Sequence, residues 1–492
     1  MRTLLRVLSG PLVIGLLLLL SLTVGAGATS SPARPLLPKS PISGSVLMAR
    51  AIHSGQIKLT GPGAPAMPLK SGLLKNVQAS GGGQPVNEDP IAANPDNPLD
   101  LLTGGNDYNC GSLQGFYATT DRGTNWTRTC MSVLSGNIGC GDPAVGYDLN
   151  NVLYIAGLDC GSPSVAVFEK STNNGVTWSA PAVAVNATFS GGLVDKDWLQ
   201  IDDSPGSPFR NNLYISATQF DPSSNSQISV SHSSNGGASW TTKVVDTVQF
   251  YPNVDQFSDL IIGADGTVYL SWMRCTANGS AGDCGGTTAT FMLSRSTDGG
   301  NTWTTPAVIT TATLVPDTCG AFYGCLPNTS ERVSDIPAIG IDNVGGYLYV
   351  AFYTWTGTQM KVELTTSTDG GETWSKPVPV SPSTVTHDQF FPWIAVNSLT
   401  GHATVTWLDR RDDPSNIKYE AFGASSTNDG ISVGGNVKLA TAMSNPNNDG
   451  FGGFFMGDYT GAVYAGTTLE VSWMDSRNGV NMQDEVGGYA LR

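Results

Sequence analysis

Ser296-Thr297-Asp298-Gly299-Gly300-Asn301-Thr302-Trp303 decides the fold of this chain because it returns. It recurs almost letter for letter as Ser367-Thr368-Asp369-Gly370-Gly371-Glu372-Thr373-Trp374, with looser copies at 119–126 (TTDRGTNW), 171–178 (STNNGVTW) and 233–240 (SSNGGASW). A sixth, at 426–433 (STNDGISV), keeps the polar frame and lacks the tryptophan. Successive copies end 52, 62, 63, 71 and 59 residues apart, a period that means stacked supersecondary modules. The residue types suit a hairpin turn. The fifth-position glycine supplies a positive φ, the Asp or Asn at position three accepts from amides of its own turn, and the opening Ser or Thr does likewise. The closing Trp is a large apolar plate suited to wedging between neighbouring modules. These are structural roles.

A second repeat runs out of phase with the first. Each module opens with a short turn: Asp89-Pro90, Asp142-Pro143, Asp197-Trp198, Asp259-Leu260, Asp335-Ile336-Pro337, Phe391-Pro392-Trp393 and Gly457-Asp458-Tyr459. A β-rich run follows each, from LDLLTGG (99–105) through YLYVAFYTW (347–355) to TLEVSWMD (468–475). Seven openings set against six octapeptides predict an all-β, seven-bladed propeller of four-stranded antiparallel blades, with six blades as the alternative. The last module has room for three strands, so the stretch LKNVQAS (74–80) is expected to supply its fourth and close the ring.

The octapeptides resemble the Asp-box, or BNR repeat, of sialidases and their relatives, across about residues 85 to 492. The resemblance implies that each box closes the hairpin between the third and fourth strands of a blade, on the face away from the active site. It also implies a glycoside hydrolase of sialidase type acting on a glycan or glycoconjugate. Such an enzyme uses three arginines for the substrate carboxylate, a Tyr–Glu nucleophile pair and an Asp acid/base. On this chain that points to Arg410 (or Arg411), Arg477 and Arg332 (or Arg274), to Tyr459, and to Asp458, Asp409 and Asp335. Glu88, Glu331 and Glu485 are the loop glutamates available as partners of the tyrosine. His387, Asp388, Trp393, Trp355 and Trp198 are expected on the same face, with the tryptophans as stacking surfaces for sugar rings. The nearest stretch to the Arg-Ile-Pro that starts the sialidase domain is Arg332-Val333-Ser334-Asp335-Ile336-Pro337. The alternative reading is a non-catalytic propeller that binds carbohydrate or protein. On that reading Trp407-Leu408-Asp409-Arg410 and Trp473-Met474-Asp475-Ser476-Arg477 are repeated inter-blade ion pairs.

Composition narrows the partners. Against 25 Lys and Arg stand 40 Asp and Glu, a net charge of −15, which argues against nucleic acid. Arg2 and Arg6 precede an apolar run ending near Ala26-Gly27-Ala28, so residues 1–28 read as a signal peptide, with an uncleaved anchor as the alternative. No later span is long and apolar enough for a membrane, and a secreted monomer is expected. Residues 29–73, rich in Pro, Ser, Gly and Ala, read as a flexible leader, and 74–492 as the propeller. Eight cysteines suit an oxidising compartment and pair as Cys110–Cys130, Cys140–Cys160, Cys275–Cys284 and Cys319–Cys325. No CxxC or clustered histidine points to a metal centre, and no cofactor is expected. A structural Ca²⁺ held by Asp197, Asp255 and Asp388 is the exception considered.

Overall fold

The computed structural model describes residues 37–59, 76–426, 430, 432–479 and 483–489. The proposed signal peptide, residues 29–36 and 60–75 of the leader, and Thr427, Asn428, Asp429 and Ile431 of the sixth octapeptide lie outside the described residues. Seven antiparallel sheets form a ring, a seven-bladed β-propeller. The second strands of the blades are Leu101–Asp107, Leu153–Asp159, Leu213–Phe220, Val268–Thr276, Tyr347–Trp355, Ala403–Asp409 and Thr468–Asp475, where the apolar runs predicted them. The ring closes as expected. Asn76–Gln78 pairs antiparallel with Gln483–Tyr489, in the register Asn76↔Gly487, Val77↔Val486 and Gln78↔Glu485. All four predicted disulfides are present, and no helix of the described residues is long and apolar enough to cross a membrane.

The octapeptide turns are built as their residue types dictate. Ser296 Oγ donates to Asp298 Oδ1 at 2.9 Å and accepts from Gly300 N at 2.9 Å, while Thr302 N donates to Asp298 Oδ1 at 2.9 Å. Ser367, Asp369 and Thr373 repeat the pattern. Each turn seats on the preceding blade. Lys170 Nζ donates to Gly236 O at 2.8 Å, Trp240 meets Phe168 edge-on at 5.2 Å, and Trp178 Nε1 donates to Thr129 Oγ1 at 3.0 Å. The tryptophans are half-buried wedges at the blade edge, with the glycines as the tight contact.

At the opposite face, most inner strands carry a residue in left-handed backbone, within the strand at Asp142 (φ 56°), Lys196 (φ 45°), Phe257 (φ 62°) and Phe391 (φ 47°) and just ahead of it at Glu88 (φ 63°) and Gly457 (φ 105°). In four blades a bulge accompanies it, between Gly141 and Ala144, Asp195 and Trp198, Gln256 and Asp259, and Phe390 and Trp393. For the non-glycine residues this costs of order 1–3 kcal/mol each. The predicted openings all lie here, around the mouth of a central channel. The channel holds a cavity of about 250 Å³ lined by Ile91, Val145, Leu199, Leu260, Ile339, Ile394 and Ala462, one residue from each blade.

The stretch read as a flexible leader contains an ordered element. Helix α1 (Gly44–His53) is capped by Ser43, whose side chain accepts from Val46 N, and Gly55 (φ 75°) follows its end. Val46, Leu47, Met48, Ala49 and Ala51 are buried in the core. One short run of good helix formers between Pro41 and Gly55 was hidden from a compositional reading by the Pro- and Gly-rich flanks. Fully burying Val46, Leu47 and Met48 contributes roughly 1.5–3 kcal/mol each, so apolar packing holds the segment down.

The turn geometry yields a test. A Cβ at Gly371 (φ 90°) falls 2.3 Å from Leu293 Cδ2 of the preceding blade, whereas one at Gly346 (φ 78°) meets nothing within 4 Å. Gly371→Ala is expected to destabilise the protein by roughly 2–4 kcal/mol, from backbone strain plus overpacking, and Gly346→Ala by about 1–2 kcal/mol from strain alone. Urea unfolding of the two variants gives the comparison, and equal losses overturn the seating of turn on blade.

Candidate active site

The channel mouth gathers four carboxylates from four blades. Glu88 accepts from Asn106 Nδ2 at 2.7 Å and from Asp458 N at 3.1 Å. The Asp142 carboxyl lies close enough to favour the protonated form of Glu88. Asp142 accepts from Lys196 N at 3.0 Å and from Ser45 Oγ at 2.5 Å. Asp195 accepts from Gln256 Nε2 at 2.6 Å, and Asp458 from Arg332 NH2 at 3.0 Å. All are almost wholly buried. Burial, with Asp142 and Asp458 beside it, holds Glu88 well above the ordinary carboxyl range. Burial, with the Asp142 charge behind it, pushes Asp195 up to about 6. Asp458 is raised by burial and drawn back by Arg332.

Beneath the acids lies an aromatic floor. Trp198 and Trp393 lie 4.9 Å apart, and Tyr459 stands edge-on to Trp198 at 5.4 Å. Lys196 Nζ lies 4.1 Å from the Tyr459 ring centre and 4.6 Å from that of Trp198. It is fully buried and makes no hydrogen bond among the described residues. A desolvated ammonium on two ring faces is a strong cation–π arrangement.

Helix α1 covers this cluster. Ser43 N and Oγ donate to Asp195 at 2.8 and 2.6 Å, Gly44 N to Asp458 Oδ2 at 3.1 Å, and Ser45 Oγ to Asp142. The helix N-terminus thus points its positive end into the carboxylates. Tyr323 Oη and Gln256 Nε2 donate to Pro41 O at 2.6 and 3.2 Å.

Of the residues singled out in the sequence, Asp458, Tyr459, Arg332, Trp198 and Trp393 meet here. Tyr459 Oη donates to Pro143 O at 2.7 Å, so the expected Tyr–Glu hydrogen bond is not formed. The three arginines do not converge. Arg410 is buried against Pro327 O (2.7 Å) and Asp388 (3.5 Å), and Arg477 is clamped on Asp475 with Nη2–Oδ2 2.7 Å. Asp409 accepts from Trp407 Nε1 at 2.7 Å and from Arg411 NH2 at 2.6 Å, as Asp475 accepts from Trp473 Nε1 at 3.1 Å. The repeated pattern is therefore Trp-x-Asp-x-Arg within each blade, with Arg411 answering to Arg477; it is not an inter-blade pair. Asp335 accepts from Tyr353 N at 2.9 Å inside its own blade, and burial holds it well above the ordinary range. Trp355 ends its strand half-buried, and His387 is half-buried beside Asp388. Asp197, Asp255 and Asp388 do not converge: Asp255 is clamped by Arg274 (2.7 Å) and Asp388 by Asn416 Nδ2 (2.6 Å) and Met360 N (2.8 Å). The one metal-like grouping among the described residues, Asp317 with Cys319 and Cys325, has both sulfurs in a disulfide.

Sequence reading missed Asp195 and Lys196 and gave Glu88 only a partner's role. Their signal is positional: Glu88 and Lys196 each stand one residue ahead of an expected turn, and Asp142 opens one, all three on left-handed backbone.

No protein-family model and no curated protein matches the chain. Among solved structures it resembles a Hadza microbial sialidase (13% identity, 71% of this chain and 65% of that one, TM-score 0.43). It also resembles an alpha-L-arabinanase of Penicillium chrysogenum (13%, 71% and 92%, 0.43) and a PL25 ulvan lyase (10%, 85% and 96%, 0.48). The chain thus spans just under two thirds of the sialidase. The sheets and the site define a β-propeller with an acidic channel mouth.

Two outcomes follow. Arg477→Ala strands Asp475 and is expected to cost about 1–3 kcal/mol in urea unfolding while leaving the channel mouth intact. Stability should also peak near pH 4–5. Asp195 and Asp255 (each about 6) and Asp259 and Glu470 (each about 7) are raised by burial, so the folded chain holds protons that the unfolded chain releases. That stability is present below about pH 4 and is lost as pH rises through 6–7. Asp369, drawn down to about 2 chiefly by Thr373, acts oppositely, and its contribution is lost as pH falls from about 4 towards 2. A melting temperature that climbs steadily to pH 8 contradicts the assignment.

Proposed function

We propose that this chain is a sialidase-like, Asp-box propeller exported by residues 1–28, and a glycoside hydrolase acting at the channel mouth. The observation carrying the reading is the group of four buried carboxyls at the mouth, Glu88, Asp142, Asp195 and Asp458, each held by a hydrogen bond from a neighbouring residue. Two carboxyls of different protonation are what glycosidic cleavage requires, and burial raises Glu88 and Asp195 to different extents. Glu88, kept protonated, gives its proton to the leaving glycosidic oxygen. Asp195, ionised above about pH 6, takes a proton from the water that attacks the anomeric carbon. Asp458 with Arg332 holds the charge beside the developing oxocarbenium, over the Trp198, Trp393 and Tyr459 floor. Four carboxylates and one arginine, already tied to Asp458, suit a neutral, hydroxyl-rich sugar better than a sialoside. A second reading, a non-catalytic propeller that binds protein, draws on the polypeptide already seated on this face.

The test uses fluorogenic arabinosides, galactosides, glucosides and sialosides with the full chain carrying Gly44→Leu, which unseats the covering helix. A neutral glycoside is expected to turn over, and adding Glu88→Gln should lower kcat by about 10²–10⁴-fold. Turnover unchanged by Glu88→Gln removes the acid from the scheme.

A further inference from the structure

The ring needs nothing before Asn76, the first residue of the strand that completes the seventh blade. Residues 37–59 are therefore an addition to a closed propeller. Among the described residues, their backbone–backbone hydrogen bonds are all internal, from Leu47 N to Ser43 O through Ile57 N to Ala51 O. The segment joins no sheet. It is docked through groups that meet the machinery one by one: Ser43 on Asp195, Gly44 N on Asp458, Ser45 on Asp142, and the Ile42 carbonyl on Arg332 at 3.4 Å. Lys39 Nζ, at the outer end, bridges Asp283 and Asp317 at 2.6 Å each. The seat is shaped for one residue type, since a Cβ on Gly44 would fall 2.0 Å from Phe455 Cε2. The donors presented to the acids are two hydroxyls and two backbone amides, the same neutral donor chemistry that a sugar ring offers through its hydroxyls.

We propose that residues 37–59 are an intramolecular inhibitor that keeps the propeller latent, with the Ser43 and Ser45 hydroxyls occupying the positions that hydroxyls of a neutral glycan take once the segment leaves. The substrate half of this inference rests on the glycosidase reading above. The occlusion half rests on geometry alone. Ser43–Ser45 cover the acids with hydrogen bonds, while the apolar side of α1 gives the segment a place to stay.

Full-length wild type and Gly44→Leu separate the two halves. Three readouts are compared: hydrogen exchange of amides 44–53, labelling of Asp142 and Asp195 by a water-soluble carbodiimide with glycinamide, and turnover of the fluorogenic glycosides. In Gly44→Leu the helix amides should exchange at least tenfold faster while the blade strands stay protected, and the two aspartates should label only in the variant. Turnover of a neutral glycoside should rise at least tenfold. Adding Phe455→Ala, which makes room for the leucine, should restore protection and latency. Labelling without turnover of any glycoside supports occlusion and overturns the glycosidase reading. Turnover equal in wild type and Gly44→Leu supports that reading and overturns the inhibitor. Loss of protection throughout the blades shows the helix to be part of the core and overturns it too. Should Gly44→Leu fail to fold, Lys39→Glu reverses the charge facing Asp283 and Asp317 without steric load, and the same three readouts decide.

Discussion

The structure depends on how each inner strand reaches the channel. A polypeptide arriving from the outer edge of one blade must turn sharply to run down the axis as the innermost strand of the next. Left-handed backbone at the turn makes this possible, and at Asp142, Lys196, Phe257 and Phe391 a bulge shares the load. The strain is retained because neighbouring blades hold it in place. The Glu88 side chain accepts from the backbone of Asp458, and Asp142 from that of Lys196. The ring thereby brings charged side chains from separate modules within hydrogen-bonding distance at one spot, in a setting too dry for them all to be ionised. Site and fold share the same constraint.

A second buried charge system supports the first. Glu331 lies against Asp449, and Asp449 accepts four backbone amides, from Phe451, Gly453, Phe454 and Phe455, at 2.8–2.9 Å. That fixes the loop presenting Phe455 to helix α1 and leads directly into Gly457 and Asp458. Arg410, expected to touch substrate, lies beside this network, where Glu331 and Asp388 act on its charge.

Sequence alone carried the architecture far because the ring is written in local, repeated chemistry. The Ser/Asp/Gly/Trp turn, the seven apolar second strands, the paired cysteines and the closing strand near residue 76 each follow from a short window. The aromatic floor was also legible, since Trp198, Trp393 and Tyr459 occupy equivalent openings. The acid cluster was less so. Asp195 and Lys196 sit in a polar run, and nothing in one blade's sequence reveals which side chains another blade turns towards it. Helix α1 was opaque for a different reason: its ten residues are too few for periodicity to outweigh their Pro- and Gly-rich surroundings. The arginines misled because two blades repeat Trp-x-Asp-x-Arg, a motif whose repetition marks a shared structural need.

The clasp between the first and last strands has a consequence for how the chain comes to be folded. Gln78 bonds Gln483 across 405 residues, whereas the four disulfides each span 20 residues or fewer and none links one end to the other. A chain made from its N-terminus must therefore keep an unpaired strand waiting through the synthesis of six whole blades. The circle becomes a circle only when residues 483–489 arrive to pair with that strand. Until then each blade rests on its predecessor as an open stack, with its growing edge exposed.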